Sequence, residues 1–261
     1  SEKVRENIES LKADDSFTVT TGHQLNIFSG PLYIIYKIIS VIKLSENLSA
    51  MHPQKKFIPV YWMASEDHDF EEIKRFFSKG KTYEWDIETS GAVGDIDPSS
   101  IKKLAGMIPD SVSIFEDAYS SSQTLSEAVR KYMNTLFERY GLVVFDPSSK
   151  RLKSISSDLM RSDILENKTS IIEDSSPEKS DVYVRKINFF YMRGGVRGRI
   201  ESVGENFVVN GTEIKFKREE MEKEIEKYPE RFSPNVVMRC LYQQVIMPNV
   251  AYIGGPSVVV Y

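Results

Sequence analysis

Four short apolar runs, each stopping abruptly at a polar or glycine-rich motif, constrain this chain more than any other feature. The first, Ser16-Phe17-Thr18-Val19-Thr20, alternates apolar and polar side chains with β-branched residues, which suits a strand. It runs into Thr21-Gly22-His23-Gln24. The second, Phe57 to Met63, is continuously apolar, the signature of a strand covered on both faces, and ends in Ser65-Glu66-Asp67-His68-Asp69. Leu142-Val143-Val144-Phe145 closes at Asp146-Pro147, and Val250-Ala251-Tyr252-Ile253 closes at Gly254-Gly255-Pro256. Helical patterns lie between them, over 32–48, over 123–140 with Gly141 as terminator, and from Pro234 to Met247. Strands alternating with helices imply a mostly parallel α/β sheet. Right-handed crossovers place all strand C-termini on one edge of such a sheet, and ligands bind in the crevice there. The four motifs should therefore converge.

The remaining stretches fill in around that sheet. Residues 2–12 read as a polar amphipathic helix, and Thr82 to Ile87 as a strand in a weakly ordered region. Pro59 does not suit a central strand, so the first half of its run should lie at an edge. Residues 160–182 are polar and Ser-rich and read as a linker. Ile187 to Phe216 reads as a small antiparallel meander with turns at Arg193-Gly194-Gly195 and Asn210-Gly211, followed by a charged helix over 218–227. The organisation expected is core over 1–80, an inserted connecting segment over 81–140, core again over 141–160, a connecting segment with the meander over 161–233, and a return to the core over 234–261.

Composition removes several classes of function. The chain has 261 residues, a formal net charge of -4 and no basic stripe of the kind a nucleic-acid binder needs. No apolar run reaches the roughly 20 residues that cross a bilayer. The longest candidate, Leu32 to Leu44, is broken by Lys37 and Lys43. Cys240 is the one cysteine, which forbids an internal disulfide and fits a reducing cytoplasm. With three histidines, His23, His52 and His68, no multi-histidine metal site is expected. The chain starts at Ser1 and stops at Tyr261, just after Gly254-Gly255-Pro256 opens what reads as another helix, so it reads as a piece of something longer.

Candidate binding residues follow from the motifs. From Thr21, Gly22, His23 and Gln24 through Ser29, Gly30 and Pro31, glycines permit close backbone approach, and a helix start offers free N–H groups to a phosphate or carboxylate. His23 could donate to that anion as charge develops. Lys37, one turn after Tyr33 on the same helix face, could reach back as a point charge. Ionisable groups crowd Ser65, Glu66, Asp67, His68 and Asp69 directly after an apolar strand, which is costly unless they meet solvent or a ligand. Asp67 or His68 could act as general base for an amine, or a carboxylate could hold Mg²⁺. Asp69 with Glu72 also fits a capping box. Arg185, Asn188, Arg197 and Arg199 crowd the meander, where arginine suits a carboxylate and a solvated face is the commoner outcome. Asn235, Arg239, Tyr242 and Gln243 share one helix face, and Tyr252, Gly254 and Gly255 end the last strand. Cys240 sits one position off that face and is expected in the core.

Read together, these stretches resemble the bacillithiol biosynthesis cysteine-adding enzyme family, BshC. The resemblance rests on TVTTGHQLNIFSGPLYIIYKIISVIKL (18–44), PVYWMASEDHDFEEI (59–73), SGAVG (90–94), LFERYGLVVFDP (136–147), INFFYMRGGVRGRIE (187–201) and ERFSPNVVMRCLYQQVIMPNVAYIGGP (230–256), which span almost the whole chain. It implies a Rossmann-like, mostly parallel core similar to class I nucleotidyltransferases and synthetases, with inserted connecting segments. It further implies a cytoplasmic homodimer with a coiled coil, and transfer of L-cysteine onto the amine of glucosaminyl-malate. ATP, with Mg²⁺, would activate the cysteine carboxylate as an adenylate or acyl phosphate, with the Thr21 to Pro31 turn in place of a synthetase phosphate-binding signature. A nucleotidyltransferase acting on another small substrate, and an inactive ligand-binding core, are the competing readings.

Overall fold

The structure is a computed structural model and describes residues 1–108, 113–175 and 183–255. It divides into two compact units, Ser1–Pro147 with Pro248–Gly255, and Ser148–Met247. The first unit begins with α1 (Glu2–Ser10), β1 (Ser16–His23), α2 (Leu32–Met51), β2 (Lys56–Met63) and the single-turn α3 (Phe70–Ile73). A hairpin of β3 (Arg75–Ser78) and β4 (Lys81–Glu84) follows, then α4 (Ile101–Ala105), α5 (Ser113–Ser120), α6 (Leu125–Phe137) and β5 (Val143–Phe145). The second unit opens with α7 (Lys150–Ile155), α8 (Ser157–Ile164) and α9 (Lys168–Ser175). Its strands β6 (Phe189–Arg193), β7 (Val196–Val203), β8 (Asn206–Val209) and β9 (Lys215–Lys217) precede α10 (Arg218–Lys227), β10 (Phe232–Pro234) and α11 (Val236–Ile246). The chain then returns to the first unit as β11 (Asn249–Tyr252).

The expected parallel sheet is present, with strand order β11-β1-β2-β5 and every pairing parallel. Successive strands step from β1 through β2 to β5 in one direction, and the fourth lies on the other side of β1. Strand order therefore reverses between β1 and β11, as it does at the switch point of a Rossmann-like sheet. β2 is covered on both faces as its sequence requires: Tyr61 and Met63 on one side and Ile58, Val60 and Trp62 on the other are all buried. Its partner β5 reaches only Val60 to Trp62, so Pro59 lies where β2 has a single neighbour, β1. That satisfies the edge condition for a proline in a strand.

α2 buries one stripe, Ile34, Ile38, Val41 and Ile42, at the spacing of a helical face. Complete burial of one such side chain stabilises by about 1.5–3 kcal/mol. Ile34, Ile38 and Ile42 join one core cluster with Tyr61 and Met63 of β2 and with Leu125, Val129, Tyr132 and Phe137 on α6 or beside it. The opposite side of α2 is open, with Leu32, Tyr36 and Ile39 exposed, so the helix covers one surface and is not enclosed all round.

Several sequence expectations need correction. Thr21, Gly22 and His23 belong to β1 itself, because the parallel ladder to β2 continues to His23 opposite Met63. The turn is Gln24 to Gly30. Pro31 is the N-cap of α2 and not its first helical residue. The stretch read as a linker holds α8 and α9 up to Ser175, where Met160 and Ile164 are fully buried; residues 176–182 lie outside the described residues. The strand expected over 82–87 is the shorter β4, which ends at Glu84 and pairs with β3, a strand the sequence reading did not include.

The meander is present, with Gly194 and Gly195 both at positive φ in the β6–β7 turn. Asn210-Gly211 sits in a longer connection, whereas the two-residue turn of the β7–β8 hairpin is Gly204-Glu205. Pro234 ends β10, and Asn235 is the N-cap of α11. Cys240 is exposed, because the buried face of α11 is defined by Met238 and Tyr242. The helix expected to begin at Pro256 lies outside the described residues.

Candidate functional site at the strand ends

The motifs that end β1, β2, β5 and β11 all lie in the first unit, on the C-terminal rim of its one parallel sheet. At the switch point the ends of β1 and β11 are laced together. Ile253 N donates to Thr20 O at 2.8 Å, and the Thr21 hydroxyl donates to Ile253 O at 2.7 Å. Gly22 lets the two ends approach closely: a Cβ there would stand 2.9 Å from the Tyr252 hydroxyl. A Cβ on Gly255 would stand 3.5 Å from the Tyr33 ring, so the double-glycine bend runs beside the first turn of α2.

Lys37 is the charged group of this crevice. Its ammonium donates to Gly22 O at 2.6 Å and lies 5.0 Å from the centre of the Tyr33 ring. The side chain is 7% exposed, and burial pushes its pKa down from 10.5 to about 8. No carboxylate pairs with it among the described residues. His23 stands edge-on to Tyr33 at 5.3 Å. Burial, reinforced by the Lys37 charge and opposed by the Gln24 carbonyl, lowers its pKa from 6.5 to about 4. At neutral pH the crevice therefore holds an ammonium and an uncharged imidazole. The α2 N-terminus, whose cap Pro31 supplies no side-chain hydrogen bond, adds a positive dipole end.

The loop entering α2 is strained. Phe28, Ser29 and Gly30 all have positive φ, and such a conformation costs a non-glycine residue on the order of 1 kcal/mol or more. Phe28 pins it: its ring packs on Phe76, Phe115 and Tyr119, and its N–H donates to the Tyr119 hydroxyl at 2.8 Å.

The acidic motif after β2 is tied to both neighbouring strand ends. Asp67 Oδ2 accepts from Gln24 Nε2 at 3.1 Å, while Oδ1 accepts the N–H groups of His68 at 2.7 Å and Asp69 at 3.3 Å. Ser65 donates to Asp146 at 2.6 Å, joining the ends of β2 and β5. Asp69 caps α3 by accepting from Glu72 N, half of the expected capping box. Glu66 is buried and His68 exposed, its Nδ1 3.5 Å from Asp67 Oδ1. The SGAVG segment fastens the loop from outside: Val93 N donates to Asp67 O at 2.7 Å and Gly94 N to Ser65 O at 2.9 Å. Asp95 beside it has its pKa raised by burial and by Asp146.

The histidine turn, the acidic cluster and the double-glycine bend thus occupy one rim. Arg185, Asn188, Asn235, Arg239 and Tyr242 belong to the second unit. There Asn188 holds the fully buried Asp163 through its N–H at 2.6 Å and its amide at 3.0 Å, and accepts from Asn235 Nδ2 at 3.0 Å. Asn235 Oδ1 caps α11, accepting from Val237 N and Met238 N, so both asparagines are committed to internal bonds. Tyr242 is buried with the Lys153 ammonium over its ring. Sequence reasoning missed Asn26 and Asp95 as members of the rim, because each acts through a partner distant in sequence or on an adjoining loop.

A family model described as "Bacillithiol biosynthesis BshC, N-terminal Rossmann-like domain" matches residues 1–261. The chain belongs to the BshC family. Curated relatives carry the name "Putative cysteine ligase BshC". The protein from Cytophaga hutchinsonii is 44% identical over 100% of this chain and 51% of its own length. That from Flavobacterium johnsoniae is 40% identical over 100% of this chain and 52% of its own. A more distant BshC, from Salinibacter ruber, is 33% identical over 100% of the chain and 52% of its own length. The chain spans about half the length of these BshC relatives. Among the described residues no helix is long and apolar enough to cross a membrane.

Proposed function

We propose that this BshC chain carries the catalytic rim of a cysteine ligase that forms an amide between L-cysteine and the amine of glucosaminyl-malate. The observation that carries this reading is the buried ammonium of Lys37 at the switch point, without a carboxylate partner among the described residues, beside a neutral His23 and a helix N-terminus. A buried charge without a counter-charge is costly, and an anionic ligand offsets that cost. The crevice suits the phosphates of ATP or a carboxylate under activation, with Lys37, His23 and the first turn of α2 holding the anion. ATP, accompanied by Mg²⁺, would convert the cysteine carboxylate to an adenylate or acyl phosphate. The acceptor amine then attacks that carbonyl, forming the C–N bond and expelling AMP or phosphate.

In this reading His68, exposed beside Asp67, would take the proton from the attacking amine, and Asp67, which accepts from the His68 N–H, would orient the loop that carries it. The same reading makes the protein a cytoplasmic homodimer. The test is to incubate full-length protein with glucosaminyl-malate, cysteine and ATP, and to follow bacillithiol and nucleotide products by mass spectrometry. Amide product with stoichiometric nucleotide cleavage is expected. Product at full rate without nucleotide would remove the ATP step, and nucleotide turnover that needs no amine would favour a nucleotidyltransferase.

A further inference from the structure

The loop that leads from β1 into α2 is held by two side chains from far along the chain. Leu25, Asn26, Ile27 and Phe28 are all buried, so their backbone polar groups need partners within the protein. Tyr119, on α5, accepts from Phe28 N at 2.8 Å, and Tyr132, on α6, donates to Asn26 O at 2.7 Å. Both tyrosines are buried, and burial raises both pKa values, so both hydroxyls keep their protons at neutral pH. Helical spacing delivers the second: Tyr132 falls on the buried stripe of α6 with Leu125, Ala128 and Val129. The two rings meet edge to face.

The anchored atoms flank the strained part of the loop. Phe28 and Ser29 are left-handed, and non-glycine residues keep that conformation only where their surroundings over-determine it. The Phe28 ring is pinned by Phe76 and Phe115, so a change of its φ swings the N–H away from Tyr119 and leaves a buried donor unpaired. Gly30 closes the loop: its N–H donates to Ile27 O at 3.0 Å, and a Cβ there would lie 2.5 Å from Asn26 Cβ. Pro31, the N-cap of α2, follows at once, so the shape of the loop fixes where the helix begins.

We propose that Tyr119 and Tyr132 are positioning residues whose hydroxyls clamp this loop in its left-handed form and so set the first turn of α2 for the anion at the switch point. The use of the clamp for an anion rests on the functional reading above; the clamp itself does not. A backbone fixed before the ligand arrives loses no further freedom on binding, which is what an anion site built from N–H groups requires.

The experiment compares full-length Tyr119→Phe and Tyr132→Phe, each of which keeps the ring and removes one hydroxyl; either serves alone if the other does not fold. Tyr191→Phe is the control, since it removes a hydroxyl bonded to Glu224 in the second unit. Hydrogen-exchange mass spectrometry reads the clamp. Peptides over residues 24–31 are expected to exchange about tenfold faster in the two variants, with β2 unchanged and the control loop like the wild type. A loop that exchanges at the wild-type rate in either folded variant, or a rise shared equally by β2, would overturn the proposal. Calorimetry with ATP reads the use of the clamp, and affinity about tenfold weaker in the variants but not in the control is expected. Unaltered ATP affinity in variants whose loop exchanges faster would sever the loop from the site. A wild type that binds no ATP would count against the anion reading, while the exchange data alone decide the clamp.

Discussion

Replacing Lys37 by methionine keeps the apolar stem and removes the ammonium, so it isolates the cost of the buried charge. In the folded chain burial lowers the lysine pKa from 10.5 to about 8. Between those values the unfolded chain binds the proton and the folded chain does not, so stability rises with pH across the window. From the two pKa values, at about 1.4 kcal/mol per unit, the wild type should gain about 2.5 kcal/mol between pH 7 and pH 10 from this residue alone. The lost bond to Gly22 O returns about 1–2 kcal/mol to the other side of the ledger, so the variant at pH 7 should be as stable as the wild type or modestly more so.

Urea unfolding at half-unit steps of pH measures this, and the wild-type minus variant difference is the quantity to plot. Buried tyrosines such as Tyr61 and Tyr119, with pKa values raised by burial, titrate alike in both proteins and cancel from that difference. Parallel pH profiles for the two proteins would refute the claim that Lys37 is an uncompensated charge. A variant destabilised by several kcal/mol at pH 7 would refute it too.

Other predictions follow from the same rim. His23 has its pKa held near 4, so between pH 6.5 and 4 the unfolded chain binds the extra proton. The wild type should lose about 3 kcal/mol relative to His23→Gln on acidification through that window, read by urea midpoints. Gly94→Ala drives a methyl group to 2.7 Å from the Ser65 carbonyl and against the Ser126 hydroxyl, and should cost about 2 kcal/mol in thermal or urea unfolding. Gly22→Ala meets only the tip of the half-exposed Tyr252; unfolding should change by less than about 1 kcal/mol while ATP binding, measured by calorimetry, weakens. Asp67→Asn retains the acceptor on one side only, and should reduce amide formation by the full-length protein more than it reduces the urea midpoint.

Most of this architecture can be read from residues. β-branched and apolar runs ending at Gly22, Ser65, Asp146 and Gly254 fix a parallel sheet and its C-terminal edge, because side-chain periodicity and the hand of crossovers leave few alternatives. The continuous burial of β2 was legible for the same reason. What escaped was decided by tertiary contact. The β1 ladder runs on through Gly22 and His23 because β2 is long enough to pair with them, and no local propensity reveals that. Polar, serine-rich residues around Met160 and Ile164 read as a linker, yet two buried apolar side chains one turn apart suffice to dock a helix. Asn26 looks unremarkable in sequence. Its place beside His23 depends on Tyr132, more than a hundred residues away, and on the positive φ of Gly30.

The most direct test of the account is a crystal structure of this chain grown with glucosaminyl-malate and ATP. Density for bound substrate between the ends of β1 and β11, touching Lys37, His23 and the first turn of α2, is the predicted result. Ligand seated elsewhere, with that crevice filled only by solvent, would contradict the proposal that the strand ends form the reaction site.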